Sequence, residues 1–430
     1  MWVDTFSTYS VDHQAQETYV ETIEALKKDV SRMLMTTSSA GETIKLIDTI
    51  ERLGLAYHFV IEIEEKLEEI YNFHDEDENY DLFTTALRFR LLRQHQYHVS
   101  CELLNLLKLA KVNFNYLQNV YKKEIFELSR WWDKFDLKSK LPYTRDRLIE
   151  SFLVGAAFHF EPQYSHVRIT MAKLFIMMTV MDDTYDNYAT LEEAQLFTDI
   201  LKRWDMEEID RLPNYMKVVY RFIMSVYEDY ECDATKQGKS FALPYCREEV
   251  KQLAGSFNQD LKWVMERKIP SFEDFMKNSL ITSSVHLMLL ATVPSIESWT
   301  KEIIDWLMSN PQILVSTAKL GRFLDDIATE ERENKGGTML TTVDYYMKQY
   351  GVSNKQEAAS ILAEQIEDEW KYMNKEWVMI RSMIPKEIVV QFLNYVRVAE
   401  VLYKKCEDGY TYPEKFLAPQ IVATFVDPII

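Results

Sequence analysis

The chain has 430 residues, 49 Lys and Arg against 68 Asp and Glu, and a net charge of −19. That balance excludes a nucleic-acid partner and adsorption to anionic lipid, because both ligands are polyanions. Ten glycines and four scattered cysteines without CxxC spacing also argue against glycine-rich phosphate loops, a zinc site and a disulfide framework.

Apolar residues recur at helical spacing from about Gln14 to Met35 (Val20, Ile23, Leu26, Val30, Met33), and similar amphipathic patterns continue almost to the end. Strand alternation is scarce, so the expected fold class is all-α. Breaks fall at Thr37 to Gly41, His74 to Asn79, Lys138 to Pro142, Lys335 to Gly337 and Asp408 to Pro413. The expected division is a short helical domain over 1–110 and a larger one over 111–430. No basic leader precedes an apolar run at Met1-Trp2-Val3-Asp4, and no window has the ~18 uninterrupted apolar residues of a spanning helix, so the cytoplasm is expected.

Leu141-Pro142-Tyr143-Thr144 reads as the lead-in to a long helix starting at Arg145-Asp146-Arg147. Further on, the apolar run Phe175 to Val180 ends in Asp182-Asp183-Thr184-Tyr185-Asp186. Asp182 and Asp186 are four apart and share a helix face, which suits a hard cation completing its octahedron with water and substrate phosphate. Three acids at such offsets arise by chance roughly twice at this composition, and Glu64-Glu65 with Glu68 is one such solvated cluster. Asp325, Thr329 and Glu333 then form a second stripe at i, i+4 and i+8, in which a neutral hydroxyl between two carboxylates limits their repulsion. Arg145, Arg147 and Arg322 supply guanidinium forks that grip phosphate oxygens bidentately and stay charged. Together these groups describe a diphosphate clamp.

The order of Arg145-Asp146-Arg147, Phe160 to Ser165, the DDxxD at Asp182, the DDxxTxxxE at Asp325 and Asp408-Gly409-Tyr410-Thr411 resembles a plant class I terpene synthase of the sesquiterpene type. Asp48 to Gly54, Arg88 to His95, Trp131-Trp132 and Arg203-Trp204 extend the likeness over nearly the whole chain. The resemblance implies a class I terpenoid synthase helical bundle with a truncated N-terminal α-helical domain. It implies a trinuclear Mg²⁺ site, with Mn²⁺ as a substitute, in which Asp182 and Asp186 hold two ions with Asp183 in support and Asp325, Thr329 and Glu333 hold the third. Arg145, Arg147 and Arg322 would bind the departing diphosphate, and Tyr403 and Asp408 would act on the carbocation near a closing loop, as would the hydroxyls of Thr282-Ser283-Ser284.

The substrate so implied is farnesyl diphosphate, acted on by a monomer or weak dimer that releases a sesquiterpene hydrocarbon and diphosphate. Two departures stand out. Val154 occupies the place of a cavity-wall tryptophan, and His98-Val99-Ser100-Cys101-Glu102 runs into Leu103 to Phe114 where relatives carry on the order of a hundred further residues. A monoterpene synthase using geranyl diphosphate and an impaired or inactive paralogue are the alternatives left open. A chain-elongating synthase is disfavoured, since it needs a second DDxxD where Asp325 to Glu333 stands. Ile281, Val285, Phe323 and Val154 are expected to shape the cavity.

Overall fold

The computed structural model describes residues 13–72, 81–98, 104–336 and 341–429, and every regular element among them is helical. The chain forms two compact units, Met1–Val112 and Asn113–Ile430.

In the first unit the helix read from the periodicity spans His13–Thr36, followed by helices at Ala40–Arg52, Val60–Asn72 and Leu82–Gln94. Ser39 and Asp81 stop their segments from fraying by accepting the backbone N–H groups of Glu42 and Thr84. Leu34, Ile44, Ile47, Ile63, Leu67 and Leu91 form a small core. On its polar flank, His95 bridges Glu51 (2.7 Å) and Glu64 (2.6 Å), and Asp48 pairs with Arg52 and Arg90. The stretches Asp48 to Gly54 and Arg88 to His95 thus meet in one ion network. The acidic break at His74–Asn79 and the junction after His98 lie outside the described residues.

The second unit is built around the Ser165–Asn187 helix, which is apolar on nearly every side and therefore enclosed by its neighbours. The Leu148–Phe158 helix lies so close to it that a Cβ on Gly155 would stand 2.7 Å from the Arg168 carbonyl oxygen, a contact only glycine permits. Arg168 is fully buried and fully paired: it donates twice to Glu124 at 2.7 Å and to the carbonyls of His159 and Glu161 at 2.8 and 2.6 Å. This clamp fixes the turn carrying Phe160 to Ser165 and leaves no uncompensated charge in the core. Helices at Leu243–Met265, Phe272–Thr282, Gln312–Gly336 and Lys386–Leu402 complete the wall of a central cavity.

One expectation fails locally. The helix after Pro142 starts at Leu148, not at Arg145, and is 11 residues long. The Arg145 N–H donates to the Asp183 carboxylate at 2.7 Å, which draws residues 145–147 away from the helical path.

Candidate active site

The apolar Ser165–Asn187 helix delivers Asp182 and Asp186 to the mouth of a cavity of about 230 Å³. The Gln312–Gly336 helix brings Arg322, Asp325, Asp326, Arg332 and Glu333 to the same mouth. Two stripes nearly 150 residues apart in sequence therefore line one space. Below the mouth the wall is apolar and aromatic, with Val154, Phe158, Phe175, Phe257, Met288 and Leu402.

Electrostatics at the mouth are strongly frustrated. Burial raises the Asp186 carboxyl well above the usual range, Asp182, Asp260 and Glu333 reinforce the shift, and Asp186 Oδ1 has no hydrogen-bond partner. Burial also raises Glu333, against the pull of Arg332. Crowded carboxylates with an orphaned oxygen fit a divalent cation, whose charge would reverse these shifts. Among the described residues no three His, Cys, Asp or Glu side chains converge tightly enough to chelate an ion unaided.

The arginines are held in readiness by these acids. Arg145 donates from Nε to Asp183 (2.8 Å), from Nη2 to Asp182 (2.6 Å) and from Nη1 to the Thr411 hydroxyl (3.1 Å). Arg322 pairs with Asp325 and, at 2.9 Å, with Asp326. Asp326 in turn accepts the Thr342 N–H at 2.6 Å and thereby caps the following helix.

The expected residues separate into two groups. Arg145, Arg322, Asp182, Asp186, Asp325, Glu333, Tyr403 and Asp408 line the cavity together. Asp183, Thr329 and Arg147 do not. Asp183 is buried under Arg145, and Thr329 is buried on the helix between Asp325 and Glu333. Arg147 points its fork at the carbonyls of Tyr410 (2.7 Å) and Thr411 (2.6 Å), so it holds the loop rather than facing the mouth.

The Asp408–Tyr412 loop contributes Asp408, Tyr410 and Thr411 to the cavity lining. Asp408 accepts the Thr411 N–H (2.8 Å) and pairs with Arg332 at 3.2 Å, while Arg332 also pairs with Glu333 at 2.6 Å. Tyr410 stands with its ring 5.8 Å from the Arg145 guanidinium and its hydroxyl 2.6 Å from Thr179. Burial, with Asp408 adding to it, pushes the Tyr403 phenol far above its ordinary range, so it stays protonated.

Sequence reasoning missed Arg332, which sits inside the second acidic motif and lines the cavity. It also missed Asp260, a buried carboxyl pushed up to about 7 by burial. Neither carries a spacing signal. Ile281, Val285 and Phe323, expected on the wall, are not on it; Phe323 belongs to a separate cluster with Val343, Ala358 and Leu362. The Thr282-Ser283-Ser284 hydroxyls do reach the cavity, but each also bonds back to a backbone carbonyl.

An all-helical bundle with an acid-rimmed, arginine-studded mouth over an aromatic pocket is the architecture of a class I terpenoid synthase. The chain belongs to the terpene synthase family and is a lyase: residues 133–372 match the model of the terpene synthase family metal binding domain, and residues 1–129 match that of the terpene synthase N-terminal domain. It is 46% identical to gamma-cadinene synthase of Ocimum basilicum and 42% identical to tau-cadinol synthase of Lavandula angustifolia, with 100% of this chain and 96% of each relative covered. The first of these alignments has 523 positions against 430 residues here, a difference of 93, so the relative carries a long stretch without counterpart in this chain. Among solved structures, grey poplar isoprene synthase in complex with three Mg²⁺ ions and dimethylallyl-S-thiolodiphosphate superimposes with a TM-score of 0.72 at 26% identity, covering 96% of this chain and 98% of that one. Limonene synthase has the same fold, with a TM-score of 0.73 at 24% identity over 99% of this chain and 97% of that one.

Proposed function

We propose that this protein is a divalent-metal-dependent sesquiterpene synthase that converts farnesyl diphosphate to a hydrocarbon and diphosphate, working in the cytoplasm as a monomer or weak dimer. The observation that carries the reading is the meeting of Asp182 and Asp186 with Asp325 and Glu333 at the mouth of an apolar cavity, beside Arg145 and Arg322. The relatives named for cadinene and cadinol support the C15 substrate. Free thiols at Cys232, Cys246 and Cys406 suit a reducing compartment.

In this reading Asp182 and Asp186, with Asp183 behind them, would hold two Mg²⁺ ions and Asp325 and Glu333 would hold the third, with Mn²⁺ able to substitute; Thr329, buried on the helix between them, would join that third ion only by turning toward the cavity. The ions supply positive charge against the negative charge that grows on the leaving oxygen. Arg145 and Arg322, which now pair with Asp182, Asp183, Asp325 and Asp326, would grip diphosphate oxygens, while Arg147 holds the 410–411 loop through its carbonyls. The allylic C–O bond breaks heterolytically, its electron pair leaves with the diphosphate, and the carbocation stays in the pocket below. Phe158, Phe175 and Phe257 line that pocket as polarisable aromatic surface for the charge, and Tyr403 and Asp408 would help keep water out until the cation loses a proton.

The missing alignment positions favour one second reading, a folded but inactive paralogue. Incubating the purified chain with Mg²⁺ and either farnesyl or geranyl diphosphate, followed by gas chromatography with mass detection, separates the readings. A sesquiterpene that disappears with EDTA or Asp182→Ala is the expected result. Product surviving both removes the metal mechanism, geranyl-derived product alone replaces the substrate, and folded silent protein supports the paralogue.

A further inference from the structure

The helix over Phe272–Thr282 ends inside the cavity wall, and a second helix resumes at Val285. Between them Ser284 adopts φ +61°, a left-handed conformation that a serine enters only at a cost. Such a break interrupts the regular ladder of helix hydrogen bonds: the Thr282 carbonyl accepts the Ser284 hydroxyl at 3.2 Å, and the Ser283 carbonyl accepts no backbone N–H among the described residues. Its partner is instead a side chain: the Tyr395 hydroxyl donates to it at 2.6 Å from the Lys386–Leu402 helix.

Tyr395 reaches that position only because of a residue on a third helix. A Cβ built on Gly321 would stand 2.7 Å from Tyr395 Cε1 and 2.9 Å from its hydroxyl oxygen, so the ring occupies the space the missing side chain leaves. Gly321 lies within the Gln312–Gly336 helix, where its flexibility is a cost and its backbone needs no special conformation. Its use is therefore the room it makes. Gly321, Tyr395, Ser283 and Ser284 all line the cavity, and Phe158 meets the Tyr395 ring edge-on at 6.4 Å.

We infer that Gly321 and Tyr395 act as a matched pair that determines product specificity: the glycine seats the ring, and the ring's hydroxyl withholds the Ser283 carbonyl from the carbocation. The inference rests on the carbocation chemistry proposed above. In a dry apolar pocket a free carbonyl dipole attracts positive charge strongly, so its capture decides where the cation rests and which carbon next loses a proton. Tyr395 thus acts through position. Removing its hydroxyl frees the carbonyl while leaving the ring's volume in place.

The test is the product distribution per diphosphate released from farnesyl diphosphate with Mg²⁺, for wild type, Tyr395→Phe, Gly321→Ala and the double variant. Tyr395→Phe is expected to change the ratio of major to minor hydrocarbons by on the order of tenfold, the effect of one charge–dipole contact in a dry site. In the Gly321→Ala background the same substitution should change nothing further, since the ring is already displaced, and this coupling distinguishes the pair from two independent packing defects. An unaltered ratio in Tyr395→Phe, or equal shifts in both backgrounds, overturns the inference. Should Gly321→Ala not fold, the isosteric Tyr395→Phe still decides it. Wild type that makes no hydrocarbon sinks the activity reading instead, and the seating is then read from a crystal structure of Gly321→Ala, where a retained Tyr395 to Ser283 bond refutes it.

Discussion

Arg145 Nη2 donates to Asp182 Oδ2 at 2.6 Å, so the arginine proposed to grip diphosphate and the carboxylate proposed to hold metal neutralise each other. The pairing gives the two adjacent aspartates different work. Asp183 is buried and accepts both the Arg145 backbone N–H and its Nε, whereas Asp182 faces the cavity.

Asp183→Ala should accordingly destabilise the protein by roughly 3–5 kcal/mol, because it leaves a largely enclosed guanidinium and a backbone donor without their acceptor. Asp182→Ala should change stability by less than about 1 kcal/mol, as expected of an exposed-side ion pair, and should instead abolish the Mg²⁺-dependent binding of inorganic diphosphate. Urea denaturation and titration calorimetry on the same two variants test the division. Equal losses of stability would contradict it.

Gly155→Ala places a methyl group against backbone, not against a side chain that can swing aside, since the nearest atom is the Arg168 carbonyl oxygen at 2.7 Å. A loss of roughly 1–3 kcal/mol or more is expected, the cost of overpacking at a rigid contact. A melting temperature within a degree of wild type would show that the two helices separate freely.

Glu249 is buried, and burial with the nearby charge of Glu248 pushes its carboxyl up to about 7. An acid whose folded value exceeds its unfolded value favours the folded state most when both states are neutral. Its contribution is therefore complete below pH ~4.5 and is lost as pH rises toward 7. Glu249→Gln should leave stability near pH 4.5 little changed and raise it at pH 8 by about 1–3 kcal/mol, on the conversion of 1.36 kcal/mol for each unit. Urea midpoints of both proteins at the two pH values supply the check, and an equal gap at both would exclude the titration.

Arg332 links Glu333 to Asp408, and Asp408 organises the loop through the Thr411 N–H. Cutting that link with Arg332→Ala should loosen the segment before the loop and speed tryptic cleavage at Lys404 and Lys405 severalfold, while Arg332→Lys retains part of the protection. Identical cleavage rates in wild type and both variants would show that the loop is held by Arg147 alone.

The helical architecture was legible in the sequence because helix periodicity is local: Val20, Ile23, Leu26, Val30 and Met33 foretell the His13–Thr36 helix almost to the residue. The same geometry explains why Asp182 with Asp186, four apart, and Asp325 with Glu333, eight apart, could be paired in advance, since residues one or two such steps apart share a face whatever the helix packs against. The start of the Leu148–Phe158 helix was misjudged because its lead-in is shaped by Asp183, 38 residues downstream of Arg145.

What the sequence by itself determined is the helical character of the chain and the two acidic stripes proposed to bear ligands, both of which follow from short-range spacing and side-chain chemistry. Only the tertiary structure decided which groups face the cavity: Arg332 and Asp260 in, Arg147, Thr329 and Phe323 out, and Tyr395 seated on Gly321. The reason is that orientation at a shared pocket depends on how separate helices rotate and approach one another. Packing sets those rotations through contacts between residues up to hundreds of positions apart, and such contacts leave no periodic trace along the chain.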